Sequence, residues 1–315
     1  MKRWLVLLLL VAGCTGQQSR HAVTTEALDV PPAVPIKGRV LDDFPDESAA
    51  EHWKLYNVQG SIHPLRHAVV DGVLQLSSDS SAGLLWRAFD FDPTAEPLIA
   101  WRWKVARTFD ASSPFSPEFD NFPARLLVGF DAGWDDAGPA ALSWRKKVGD
   151  ATGVTPPSRA ICYTFGGDLS STEAVDATFG EGRIVVINLR TKGEGWFHEV
   201  RDIAGDYQAV FREPAPPVMA LGLGCDSHRM KVRAHAWFDD ITVYPPEAYE
   251  QFRRVLPAPP DRRAPPLVWI IVAVAGVTAA GTAGVWFWLR RNSKVLEPEA
   301  FDKVELADES EADSR

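Results

Sequence analysis

Two kinds of side chain in this sequence are placed to do chemistry: basic residues inside strand-like runs, and aspartates in adjacent pairs. Leu98–Val105, LIAWRWKV, alternates apolar and polar residues with period two, the pattern of a half-buried strand. Trp101, Trp103 and Val105 then share one face, and Arg102 and Lys104 the other. The tryptophans read as core. Arg102 and Lys104, joined by Arg125 and Arg201 from later runs, form a candidate ligand-binding set with Asp120 and Asp206. A guanidinium fork suits planar carboxylate or phosphate groups, and the same cluster would suit a sugar. The competing reading is internal ion pairing of these arginines with Asp120, Asp206 or Glu199.

The aspartate pairs Asp42-Asp43, Asp135-Asp136 and Asp239-Asp240 invite comparison with acid–base couples. General acid–base work needs two carboxyls converging on one site, and neighbours on a strand point to opposite faces. No pair therefore serves alone. Asp42 and Asp43 are expected to open the first strand and Asp239 and Asp240 the last. If those strands pair, the four acids would gather hard oxygen ligands for a structural calcium ion; turn capping is the plainer alternative. His63 and His67 are separated by Pro64, which disfavours the helix that would align them. No G-x-S-x-G elbow is present. Cys162 and Cys225 lie in strand-like runs, and one disulfide between them competes with two buried thiols. No cofactor other than calcium is implied.

Those residues must be positioned by strands. Asp71-Gly72 between apolar residues is a hairpin signal. Alternating runs recur at 125–131, 160–165, 183–189, 195–201, 219–225 and 232–243. Many short strands separated by turns predict an all-β sandwich of jelly-roll type over residues 38–244. Only 48–56 and 204–211 read as short helical turns.

The ends read as anchors. Residues 1–14, MKRWLVLLLLVAGC, combine a basic start, a short apolar stretch and Val11-Ala12-Gly13-Cys14. They resemble a lipoprotein signal peptide, with Cys14 as the lipidated residue. Residues 15–37 read as a tether and 245–266 as a proline-rich linker. Residues 267–289 carry no charged side chain, enough for a transmembrane helix. Arg290, Arg291 and Lys294 follow, placing the C-terminus inside. Gly276, Ala280 and Gly284 recur every four residues and would permit a homodimer through that helix face. Eight acids and two bases in 295–315 account for −6 of the −9 net charge. The acidity thus belongs to a cytoplasmic tail, and no basic face suggests nucleic acid. The expected location is a bacterial inner membrane with the β-domain in the periplasm or outside.

Several motifs, in order, resemble a bacterial family catalogued as domain of unknown function 3047. They are LIAWRWK at 98–104, DNFPAR at 120–125 and WFHEVR at 196–201. Asp206-Tyr207 with Phe211, Asp226 in a CDS turn, and FDDI at 238–241 complete the set. The resemblance spans roughly residues 40–244. It implies an exported β-sandwich and carries no activity. Family members tend to show paired acids before the arginine-containing strand, where this chain has Asp120-Asn121. The leading functional expectation is a non-catalytic envelope protein binding a glycan, a small anion or another envelope protein. The alternatives are a hydrolase of envelope polysaccharide and an adaptor whose acidic tail recruits a partner.

Overall fold

A computed structural model describes residues 35–57, 63–109, 112–113, 120–153, 155–167, 173–177 and 182–262. The leader with Cys14, the 267–289 span with Gly276, Ala280 and Gly284, and the acidic tail lie outside the described residues. Among the described residues no helix is long and apolar enough to cross a membrane.

In chain order the strands are β1 Arg39–Asp42, β2 Lys54–Asn57, β3 Arg66–Val70, β4 Val73–Asp79, β5 Ala82–Phe91, β6 Leu98–Val105 and β7 Ala124–Phe130. They continue as β8 Arg159–Phe165, β9 Glu173–Asp176, β10 Ile184–Arg190, β11 Phe197–Asp202, β12 Val218–Asp226, β13 Arg233–Tyr244 and β14 Asp261–Arg262. The helices are α1 Pro139–Thr152, α2 Ile203–Phe211 and α3 Tyr249–Phe252. One sheet has the order β11-β6-β13-β4-β3, with β1 also on β13. The other runs β14-β9-β10-β8-β7-β12-β5-β2.

The expected two-sheet sandwich is present. Asp71 and Gly72 both take left-handed φ, +53° and +73°, closing the β3–β4 hairpin between Val70 and Val73. That matches a turn whose two central residues both need φ above zero. The order departs from an all-antiparallel jelly roll at two places: β8 with β10, and β9 with β14, pair in parallel.

Period-two alternation decides which side chains enter the core. Trp101 and Trp103 of β6 point between the sheets and meet edge-on, ring centroids 5.4 Å apart at 85°. Trp101 packs on Tyr163 at 5.5 Å and Trp103 on Phe165 at 5.6 Å. Leu126, Val128, Ile161, Leu221 and Leu223 complete the opposing wall. The eight-stranded sheet is also covered on its outer face, where Trp86, Leu127, Cys162, Val186 and Ala220 form a second cluster. β7 is consequently buried at every position.

That second cluster overturns the disulfide. In register, Cys162 lies beside Leu127, which lies beside Gly222. Cys225 is three residues, an odd number, beyond Gly222, so the two thiols emerge on opposite faces of one sheet. Cys162 packs outward and Cys225 between the sheets, both free and buried. No rotamer joins sulfurs separated by the sheet itself.

Two further expectations are corrected. Residues 139–152, not read as helical, form α1, with Pro139 in its first turn and Gly153 in the left-handed conformation at its end. Of its described side chains only Ala141 and Val148 are buried, so it shows no apolar stripe. Of residues 245–266, read as a proline-rich linker, the described 245–262 lie against the domain. Tyr244 meets Phe252 at 4.8 Å, and Arg262 of β14 binds Asp176 and donates to the Val210 carbonyl at 2.8 Å.

Candidate functional site

The six predicted ligand-binding residues do not converge; the sandwich divides them among three places. Arg201 and Asp206 lie between the sheets. Arg201 sits on the inward face of β11, and α2 brings Asp206 back onto it. The Arg201 Nε donates to Asp206 Oδ2 at 2.8 Å and Nη2 to Oδ1 at 2.6 Å. Tyr163 adds its hydroxyl to Oδ2 at 2.7 Å. Both charged side chains are at most 2% exposed. Burial pushes the Asp206 carboxyl up, against the pull of Arg201 and Tyr163. Glu199, two residues before Arg201, accepts from Trp103 Nε1 at 3.0 Å and Arg190 Nε at 2.8 Å. These are the internal ion pairs of the competing reading.

Asp120 and Arg125 lie on the outer face of the eight-stranded sheet. Arg125 Nη2 reaches the Asp120 carbonyl at 2.7 Å and its carboxylate at 2.9 Å, and its guanidinium lies 4.9 Å from the Phe122 ring centre. A second carboxylate, Asp226 of β12, stands 3.5 Å from the same nitrogen. Two carboxylates thus face Arg125, the second supplied by a distant strand rather than by residue 121. Burial raises the Asp226 carboxyl to about 6 despite Arg125. Burial likewise lifts the neighbouring Cys162 thiol to about 11, which makes it a poor nucleophile at neutral pH.

Three of the four aspartates of the calcium expectation are divided between two arginines, and the fourth, Asp43, faces solvent. β1 does pair with β13. Asp42, however, accepts from the Phe44 N–H and Trp53 Nε1, both at 2.9 Å, and from Arg87. Asp239 and Asp240 both bind Arg102. An irregularity in β13, with Asp240 at φ +53°, lets these neighbours meet one guanidinium where a regular strand would part them. Among the described residues no group of three or more His, Cys, Asp or Glu side chains is placed to hold a metal ion.

Arg102 and Lys104 occupy the third place, the outer face of the six-stranded sheet, where sequence reasoning missed the main participants. Trp237 of β13 is the cross-strand partner of Lys104, and Gln75 of β4 the partner of Trp237. Trp196 enters from the other side, just before β11. The Lys104 Nζ lies 5.0 Å from the Trp196 ring centre and 4.5 Å from that of Trp237. The Arg102 guanidinium lies 5.1 Å from Trp196. His235, one pleat from Trp237, holds Ser77 Oγ at 2.9 Å. Trp196 is 38% exposed, while Lys104 and Trp237 are half-buried. The available signal was the parity of β13: Ala234, Ala236 and Phe238 are apolar and inward, so Trp237 must face outward.

These arrangements define a two-sheet β-sandwich module whose buried arginines are matched by aspartates and whose one open sheet face is paved with indole and ammonium. The chain belongs to the family described as protein of unknown function (DUF3047), whose model matches residues 43–242. No curated protein matches it. Solved structures similar to it include an agarase, AgWH50C, at 7% identity and TM-score 0.30, covering 67% of this chain and 26% of the agarase. Others are a CBM4 structure at 10% identity and TM-score 0.26, covering 62% and 95%, and a low-affinity xylan-binding module, CBM86, from Roseburia intestinalis at 10% and 0.25, covering 63% and 93%. The chain thus spans about a quarter of the agarase. Likenesses this distant carry no functional argument.

Proposed function

We propose that this chain is a glycan-binding β-sandwich held at a bacterial inner membrane, with the sandwich outside the cytoplasm. The observation that carries the glycan reading is the row Trp196–Lys104–Trp237 across the outer face of the six-stranded sheet. The cations on these indoles cover only part of their faces, and the remaining apolar surface on a solvent-facing sheet is the kind of surface a ligand covers. A sugar ring offers a C–H face to stack on an indole, and hydroxyls at its rim for Gln75, Ser77 and His235. The rest of the chemistry-bearing set is engaged internally, which favours binding over catalysis.

In the full chain held in detergent, a panel of bacterial envelope polysaccharides should contain at least one retained glycan. Trp196→Ala and Trp237→Ala should each weaken retention about 30-fold, the effect of losing an interface anchor worth about 2 kcal/mol. Retention unchanged in the double variant would remove the platform as the site.

The anchoring half of the proposal rests on residues 1–14 and 267–289. Cys14→Ala should accumulate an unprocessed precursor that takes up no palmitate analogue, and a cytoplasm-dependent reporter fused after Arg315 should be active. Normal maturation of the alanine variant, or a silent reporter, would count against the lipid anchor and the topology respectively.

A further inference from the structure

We infer that the outer platform selects acidic glycans, those bearing uronate carboxylates or sulfates, through Lys104. This rests on the glycan reading and names the substrate class of the same face. Arg102 and Lys104 alternate on one strand but differ in electrostatic state. Arg102 is more than matched, by two carboxylates, Asp239 and Asp240. Lys104, among the described residues, has no carboxylate within ion-pairing distance and no hydrogen bond to protein; its ammonium meets only the two indoles.

The ring faces stabilise the cation without consuming it. Cation–π attraction holds the ammonium in place but accepts none of its N–H groups in a full hydrogen bond. Three donors on a fixed cation thus remain between two stacking surfaces. Arg66, exposed at the far end of the row formed by His235 and Ser77, adds a second cation with no ion pair among the described residues. The surrounding carboxylates are already spoken for: Asp239 and Asp240 by Arg102, and Asp79 by Arg233 at 3.0 Å. Arg66, Arg102, Lys104 and Arg233 against Asp79, Asp239 and Asp240 leave this face one net positive charge within a chain whose overall charge is negative. An acidic sugar stacked on Trp196 or Trp237 would bring its anion to Lys104, whereas a neutral sugar would leave the ammonium to water.

The test uses matched pairs. Full chain in detergent is titrated with oligogalacturonate and heparin oligosaccharides, each beside its carboxyl-reduced or desulfated counterpart, and with neutral xylan and mannan oligosaccharides. The acidic forms should bind at least tenfold tighter than their neutralised counterparts, the scale of one charge-assisted hydrogen bond. Lys104→Met should erase that difference while leaving weak stacking affinity, and Lys104→Arg should restore it. If neutral and acidic forms bind equally and Lys104→Met changes neither, the platform is a glycan site without acid selectivity and this inference falls alone. If Lys104→Met abolishes all binding equally, the lysine serves to hold the indoles, and the inference also falls. If no oligosaccharide binds, it falls together with the glycan reading.

Discussion

Arg201→Met should lower the unfolding free energy by about 3–5 kcal/mol, the cost of stranding one partner of a buried ion pair. Asp206, at most 2% exposed, would be left in the core with only Tyr163 as donor, stranded as a charge or forced to take up a proton. Asp206→Leu should cost a similar amount, because Arg201 would then be a buried cation without an acceptor. The double variant Arg201→Met/Asp206→Leu should be less destabilised than the sum of the singles, and less than either single. Its residual loss should come from the Tyr163 hydroxyl, left without its acceptor at about 1–3 kcal/mol. A double-mutant cycle from urea unfolding measures the coupling. Additive losses would show that the pair contributes no more than two independent side chains.

Arg125→Met should produce a loss of similar size, about 3–5 kcal/mol at neutral pH, with a pH signature set by Asp226. It removes the cation that faces both Asp120 and Asp226 and takes one donor from the Asp120 carbonyl. In the wild type the folded Asp226 carboxyl titrates near 6, against 3.8 for an ordinary aspartate. Between those values the folded state holds more protons than the unfolded chain. The Asp226 contribution to stability is therefore present below about pH 4 and lost as pH rises towards 6. Without Arg125 the carboxyl should rise further, so the variant should recover part of its deficit on acidification. Asp226→Asn should flatten the wild-type slope across the same window. Chemical unfolding at several pH values checks both, and a deficit for Arg125→Met that is independent of pH between 4 and 7 would place its origin in lost packing alone.

Much of the scaffold was legible because its signals were local. Alternation located β6 to the residue and placed β7, β8, β10, β12 and β13 within two residues at each end. The Asp71-Gly72 turn followed from backbone sterics. What escaped notice had a non-local cause. β5 alternates imperfectly because the eight-stranded sheet is covered on both faces at Trp86, so its pattern lacks a clean polar side. α1 lacked an apolar stripe. The candidate site was half legible: Arg102 and Lys104 were correctly placed on a polar face, but strand parity alone cannot report which strand lies next door. Trp237 and Trp196 became visible as companions of Lys104 only once β13 and β11 were known to flank β6. The same ignorance of neighbours grouped Arg125 and Arg201 with Lys104, although they lie on other surfaces of the sandwich.

The position of β13 sets a condition on how the chain acquires its shape during synthesis. The last long strand to be made is inserted between β6 and β4, and among the described residues it is the only strand to which β1 is bonded. Until residue 244 has emerged, the β3–β4 hairpin and β6 have a gap between them, and Arg39 has no Val243 to face. Contacts of such sequence separation form late, because loop closure must precede the interactions that reward it. The chain should therefore remain open, with the apolar side of β6 unprotected, for nearly the whole passage of the domain from ribosome to destination. A polypeptide that closes only at its end stays threadable throughout, a property that would suit the export proposed above.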